Sequence, residues 1–429
     1  MSDSTIAALR GRRVWDSRGR PTVEAELHLA GGAVGRAIAP AGASTGSHEA
    51  IELRDGGARL GGRDVTAAVN AIGGEIAAAL TGLDAADQAA IDRRLIELDG
   101  SPQKRRLGGN ALVAVSMAAL HAAAAAAGRP LYAHLLGETD AAVMPLPEIQ
   151  IFGGGAHAGR RVDVQDFMVM APGAGSFAQA LEWTAEIYRA AGEMMAERGL
   201  LYGVADEGGY WPAFDSNEGA IEALMRAIER AGFTPGQEIL LSLDIAASQF
   251  HHRGRYRLAR DDREIDRDGL SEMLTRWLDR YPIASIEDPF GEDDAEGLRL
   301  FTAAVGDRVQ IVGDDYLVTN AARVRTAAAF EICNAVLIKP NQAGTVTEAK
   351  AALDAARAAG WGAIASARSG ETEDVTIVHL AIGWGMGQLK VGSFARSERM
   401  AKWNEALRIE EALGSRARFA AGAPLRVRK

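Results

Sequence analysis

A β/α barrel preceded by a smaller α+β domain is the α/β fold this sequence predicts, and three observations predict it. The chain has 429 residues, enough for two domains and a large buried core. From about residue 144 onward, short apolar runs alternate with amphipathic helical stretches, the rhythm of a parallel sheet covered by helices. Six apolar runs follow one another in this way, and so many units favour closure into a barrel.

Taken in order, the first part of the chain alternates as strands do. Val23, Ala25, Leu27 and Leu29 fall on one side of a strand over 22–30, and a second strand follows over 33–39. Helical stretches come next at 64–80, 84–98 and 110–127, the last rich in alanine, which has the best helix propensity and allows close packing. Strands followed by helices make residues 1–140 an α+β domain. The segment 141–147, with two prolines, reads as a link into the barrel domain at 141–429. The apolar runs lie at 239–243, 283–286, 309–312, 335–338, 363–365 and 388–391. Helices at 296–305, 321–330, 345–359 and 372–383 separate them. No fixed-period repeat or low-complexity linker interrupts this order.

Composition excludes several classes of function. The formal net charge is -10 and no basic block stands out, so a nucleic-acid backbone is not an expected partner. No long uninterrupted apolar run suggests a membrane span, and residues 1–13 lack the apolar core of a signal peptide. One cysteine, Cys333, forms no internal disulfide; it suits a reducing cytoplasm and, within an apolar run, a packing role. Only 6 of the 47 basic residues are lysine, so each lysine in an apolar context asks for a reason.

In a β/α barrel the reactive groups sit at the C-terminal ends of the strands. Here the run ending at Leu243 is followed by Asp244, Ile286 by Glu287, and Gly313 by Asp314 and Asp315. Ile338 is followed by Lys339, and Leu389 by Lys390. Carboxylates from three strand ends and two lysines are therefore expected at one mouth. Carboxylate oxygens from separate strands suit a hard ion such as Mg²⁺. A strand-end acid is by itself ordinarily a cap or a solvated turn residue; the joint pattern carries the reading. No Cys/His zinc spacing competes, and His251 and His252 flank a polar turn where solvation is expected. A lysine near cations in a low-dielectric mouth is expected to have a lowered pKa, fit for a general base. Asp206-Glu207-Gly208-Gly209 adds an acid on a glycine loop, and Arg368-Ser369-Gly370 offers a forked donor, a hydroxyl and free backbone for a phosphoryl group.

These residues resemble enolase through nearly the whole chain. The motifs are Asp16-Ser17-Arg18-Gly19 with Pro21-Thr22-Val23-Glu24, Gly42-Ala43-Ser44-Thr45-Gly46, and Gly154-Gly155-Ala156-His157-Ala158. They continue with Asp206-Glu207-Gly208-Gly209, Ser285-Ile286-Glu287-Asp288-Pro289, Gly313-Asp314-Asp315, Lys339 with Asn341-Gln342, Arg368 through Asp374, and Arg408-Ile409-Glu410-Glu411. The resemblance implies that Asp244, Glu287 and Asp314 hold a first Mg²⁺, and that Ser44, on a mobile loop, ligates a second that arrives with substrate. It implies that Lys339 removes the proton at C2, that Glu207 assists departure of the C3 hydroxyl, and that His157 and Asp166 join the catalytic set. Lys390 would contact the substrate carboxylate, while Arg368 and Ser369 would hold the phosphoryl group. A homodimer or higher homo-oligomer, a cytoplasmic location, and a small phosphorylated or phosphonylated carboxylate as substrate go with it.

The departures from the enolase pattern cluster around phosphorus and the leaving group. Ala367 stands where enolase has a histidine, and Asp166 where it has a glutamate one methylene longer. Gly153, Ala205, Pro340, Ala343 and Ala41 also depart from its motifs. Three readings follow. The first is an ordinary enolase dehydrating 2-phosphoglycerate to phosphoenolpyruvate. The second, favoured by the retained metal-and-lysine set beside a remodelled pocket, is a diverged paralogue for a substrate altered at phosphorus, similar to carboxyphosphonoenolpyruvate synthases. The third is a non-catalytic binding protein on the same frame.

Overall fold

The computed structural model describes residues 2–137 and 141–425. An antiparallel sheet of strands Ile6–Trp15, Pro21–Leu29 and Val34–Ile38 opens the chain, with the second strand central. Val23, Ala25, Leu27 and Leu29 face the core as their alternation predicts. Glu24 and Glu26 are buried on the other face, where Arg12 and Arg36 pair with them. The strand Ile6–Trp15 has no counterpart in the sequence reading, because Arg10, Arg12 and Arg13 break its apolar alternation.

The alanine-rich helix Gly109–Ala126 packs across this sheet. Gly35 sets the distance: a Cβ there would lie 2.0 Å from the Ala118 carbonyl oxygen. By length and composition this helix is apolar enough to cross a membrane, but 83% of it is buried inside the protein. The helix expected over 64–80 is present with a wide turn at Ile72–Ile76, where Gly73 and Gly74 loosen the ladder between Thr66–Ala71 and Ala77–Leu80.

Among the described residues, eight strands close a barrel: Leu146–Gly153, Asp166–Met170, Leu240–Asp244, Ile283–Glu287, Gln310–Gly313, Ala335–Ile338, Gly362–Ser366 and Gln388–Gly392. The last six are the apolar runs read from sequence. The first two correct that reading in two ways. Residues 141–147 are no mere link: Ala142–Met144 pairs with Ala417–Phe419, and Leu146 begins the first barrel strand. The sheet is also not wholly parallel, since Asp166–Met170 runs antiparallel to both neighbours. A short connection joins the first two strands, and two helices, Phe177–Glu197 and Asn217–Arg230, precede the third. With only the single turn Gly155–Ala158 between them and no α-helical crossover, the first two strands turn back on each other.

Side-chain caps start most of the barrel helices: Ser176, Ser216, Asp266, Asp294, Asn320 and Thr345 each accept from a backbone N–H of the first turn. His251 is not solvated as expected. Its ring stacks on Tyr256, and its Nδ1 lies 2.9 Å from Asp293; His252 is exposed. Cys333 is buried, and burial pushes its thiol up, away from reactivity.

Candidate active site

Asp244 and Glu287 end their strands and are neighbours in register. Asp314 follows Gln310–Gly313, Lys339 follows Ala335–Ile338, and Lys390 lies within Gln388–Gly392. Asp166 reaches the same mouth by the opposite route. As the first residue of the antiparallel strand, it pairs with Gly153 and Asp244. Parallel strands present their last residues to the mouth, and this strand presents its first.

All these side chains are buried, so each charge requires a partner. Lys390 Nζ lies 2.7 Å from Glu287, 2.9 Å from Asp244 and 3.5 Å from Asp166. Lys339 hydrogen-bonds Asp314 Oδ2, and Gln342 donates to Asp314 Oδ1 at 2.8 Å. Gln165 Nε2 donates to Asp244 at 2.9 Å. On the opposite flank, His157 Nδ1 is 3.7 Å from both Asp166 and Glu207. Glu207 is carried on a turn that needs glycine next to it: Gly208 has φ +96°, and a Cβ there would meet the Ala395 carbonyl at 2.5 Å.

These neighbours decide the proton affinities. Burial alone would lower Lys339, but Asp314 and Glu287 together outweigh it, and where no cation shares the site the ammonium is held above its ordinary value. Lys390 behaves likewise, with burial opposed by Asp244 and Glu287, and ends well above. Burial and then Asp244 push Glu287 far up, whereas Lys339 keeps Asp314 low despite its burial. Burial would raise Asp166, but Lys390 and His157 hold it down; burial would lower His157, but Glu207 and Asp166 raise it.

A second group of contacts crosses from the N-terminal sheet region. Arg368 pairs with Glu49 at 2.9 Å, donates to the Ser44 carbonyl at 3.0 Å, and reaches Asn341 at 3.2 Å. The guanidinium of Arg399, fully buried, donates to the carbonyls of Arg368, Ser369 and Val391 and so fixes the backbone around Ala367. Ser44, His157, Glu207, Asp244, Lys339, Ala367, Arg368, Ser369 and Lys390 line one cavity, together with Gln165 and Ser366. Asp166, Glu287 and Asp314 meet that lining through Lys390 and Lys339.

Comparison with known families matches the N-terminal domain of enolase over residues 6–135 and its C-terminal TIM barrel domain over residues 141–427. The chain belongs to the enolase family. Enolases are Mg²⁺-dependent lyases acting on small phosphorylated carboxylates, and this chain is an enzyme of that type. Its mouth fits a hard divalent ion on two grounds. Asp244 Oδ1 and Glu287 Oε1 are buried with no hydrogen-bond partner among the described residues, leaving oxygen lone pairs aimed into the site. Asp288, Asp314 and Asp315 also bring carboxylate oxygens within 4.8 Å of one another, as do Asp166 and Glu207 with His157.

Several contributors to this site are given no role by the sequence reading, although Asp288 and Gln342 fall inside its motifs. Asp288, with φ +41°, accepts from the backbone N–H groups of Asp314 and Asp315 at 2.9 Å each and so aims Asp314. Glu49 and Gln342 work the same way on Arg368 and Asp314. Their residue types carry no local signal, because partners on other elements, 319 positions away for Glu49 and 28 for Gln342, give them their roles.

Proposed function

We propose that this enolase-family enzyme abstracts a proton alpha to the carboxylate of a 2-phosphoglycerate-like substrate altered at phosphorus, in the manner of a carboxyphosphonoenolpyruvate synthase. The observation that carries the reading is Ala367, a methyl group lining the same cavity as Arg368, Ser369, Lys339 and Glu207. An imidazole at this position would occupy space and donate a hydrogen bond beside the phosphorus-binding pair. A methyl group leaves room there for one more substituent on phosphorus.

In the proposed reaction Lys390 faces the substrate carboxylate, and Arg368 with Ser369 holds the phosphorus group. The C2–H bond breaks with its proton passing to Lys339 Nζ, which acts as the neutral amine: with a cation held by Asp314, Lys339 would lose its counter-charge and give up its own proton beforehand. The electron pair forms C2=C3 as the C3–O bond breaks, and a proton delivered from the Glu207 and His157 side lets the hydroxyl leave as water. Asp244, Glu287 and Asp314 would hold one divalent ion and Ser44 a second; such ions supply charge stabilisation to the substrate carboxylate and take over the counter-charge that the two lysines give these acids.

The test is steady-state kinetics on two substrates, 2-phosphoglycerate and its analogue bearing a carboxyl on phosphorus. Loss of one hydrogen bond to a charged group corresponds to about 10- to 150-fold in rate. Turnover of 2-phosphoglycerate is expected to be weak by at least that factor, and the analogue is expected to be the better substrate. A kcat/KM for 2-phosphoglycerate inside the ~10⁴–10⁸ M⁻¹s⁻¹ typical of enzymes would instead support the alternative, ordinary enolase chemistry on the same lysine-and-carboxylate set.

A further inference from the structure

Beneath the acid side of the mouth lies a residue that no motif contains. Gln150 is fully buried in the first barrel strand, at the point where its pairing with Asp166–Met170 shifts register between Gln150 and Phe152. Such a bulge re-aims a side chain relative to the regular ladder. Gln150 Nε2 donates to Asp166 Oδ1, and Gln150 Oε1 accepts from the Gly209 N–H at 2.8 Å. The two partners dictate the orientation of the amide. Its donor end must face the carboxylate and its acceptor end the backbone N–H, since the flipped amide would oppose like to like.

Resting on the reaction proposed above, we infer that Gln150 is a positioning residue that sets the spacing of the acid side, its length matched to the short side chain of Asp166. One amide ties together Asp166 and the Gly208–Gly209 turn from which Glu207 projects, while His157 lies 3.7 Å from each of the two acids. With Oδ1 of Asp166 held from below, Oδ2 is left without a hydrogen-bond partner among the described residues and 3.5 Å from Lys390. Neither partner has slack. A Cβ on Gly209 would lie 2.5 Å from Gln150 Oε1, and one on Gly153 would lie 2.7 Å from the Ala205 methyl and 3.2 Å from Gln150 Nε2. Glutamine with aspartate therefore spans a fixed gap between adjacent strands, and moving one methylene from one partner to the other preserves the span. The base side is served separately, by Lys339, Asp314 and Gln342.

The experiment is a double-mutant cycle of Gln150→Asn, Asp166→Glu and the pair together, with two readouts. The first is thermal unfolding, which needs no substrate: each single variant is expected to melt below wild type, and the double variant to recover most of the loss. The second separates the two halves of the reaction in deuterated water, on 2-phosphoglycerate and on the carboxyl-bearing analogue. Gln150→Asn is expected to cut elimination of the C3 hydroxyl by about tenfold, the effect of 1.4 kcal/mol, while deuterium exchange at C2 stays within about threefold. The pair should restore elimination. Melting temperatures that fall additively in the double variant overturn the length match. Exchange and elimination falling together overturn the placement on the acid side. A wild type that exchanges the C2 proton of neither substrate counts against the proposed reaction, and the melting cycle then decides the length match alone.

Discussion

Inside the barrel, Glu148 shows what its surroundings do to one carboxyl. It is buried, accepts from Gln388 Nε2 at 2.5 Å and from Ser242 Oγ at 3.3 Å, and is pushed up to about 7, mainly by burial. Gln388 continues the network to Gln310, and Gln310 to Ser285, so a polar chain crosses the barrel below the mouth. In the unfolded chain the same group returns to about 4.5. Between those values the folded state binds more protons than the unfolded state, so stability is full below about 4.5 and declines as pH rises through about 7. The decline amounts to at most about 3 kcal/mol for this group. Glu148→Gln, which keeps the shape and removes the titration, is expected to flatten the fall in melting temperature between pH 5 and pH 8 relative to wild type. Parallel pH curves for the two proteins would show that Glu148 is not the source. Also at this scale, Lys339→Ala should abolish C2 deuterium exchange, and Lys339→Arg should not restore it, because a guanidinium stays protonated. Exchange persisting in either variant would assign the base elsewhere.

Among the elements, the strand-and-helix rhythm was legible where each strand is buried on both faces and bounded by an amphipathic helix. The later barrel strands met that condition, apart from the helix Thr376–Gly383, which is buried all round, and reading their ends located Asp244, Glu287, Asp314, Lys339 and Lys390 together. The first two strands did not meet it. Leu146–Gly153 carries Pro147, Glu148 and Gln150 inside a wholly buried strand, so its polar residues imitate a loop. Asp166–Met170 brings its first residue to the mouth, which a rule based on last residues cannot find. The contact of Lys339 with Asp314 is illegible for a related reason: it comes from folding and leaves no trace in spacing. Close approach between elements gives a sharper test. At Gly35, a Cβ 2.0 Å from the Ala118 carbonyl and 2.3 Å from the Ala122 nitrogen meets backbone, which cannot rotate away. Gly35→Ala should force the helix Gly109–Ala126 off the sheet and cost about 1–3 kcal/mol, the usual range for overpacking. Urea unfolding measures this, and an unchanged midpoint would mean that the helix shifts freely.

Seen whole, the active site belongs to neither half of the molecule. The barrel supplies Arg368, and residues before the barrel supply what holds it: the Glu49 carboxylate and the Ser44 carbonyl. Other ties cross the same boundary. Asp92 accepts from the N–H and hydroxyl of Thr347 at the start of the helix Val346–Ala358, Lys104 pairs with Glu348 at 2.8 Å, and Glu292 accepts from Ser47. Of these, the Arg368–Glu49 pair is the one buried on both sides. Glu49 raises the affinity of the guanidinium for its proton against a large opposing effect of burial. Removing the carboxylate leaves a buried cation with only carbonyl and amide oxygens, and breaking such a pair typically costs about 3–5 kcal/mol. Glu49→Ala should therefore lower the unfolding free energy by that order, while Glu49→Gln, which keeps an acceptor, should lose less. Both variants should also lose kcat/KM, because Arg368 would no longer be aimed at the phosphorus group. A surface mutation elsewhere with equal loss of stability serves as the control, since it should leave kcat/KM unchanged below its melting temperature. If Glu49→Ala unfolds like wild type, Arg368 finds another counter-ion, and the two halves are joined by their packing and not by this pair.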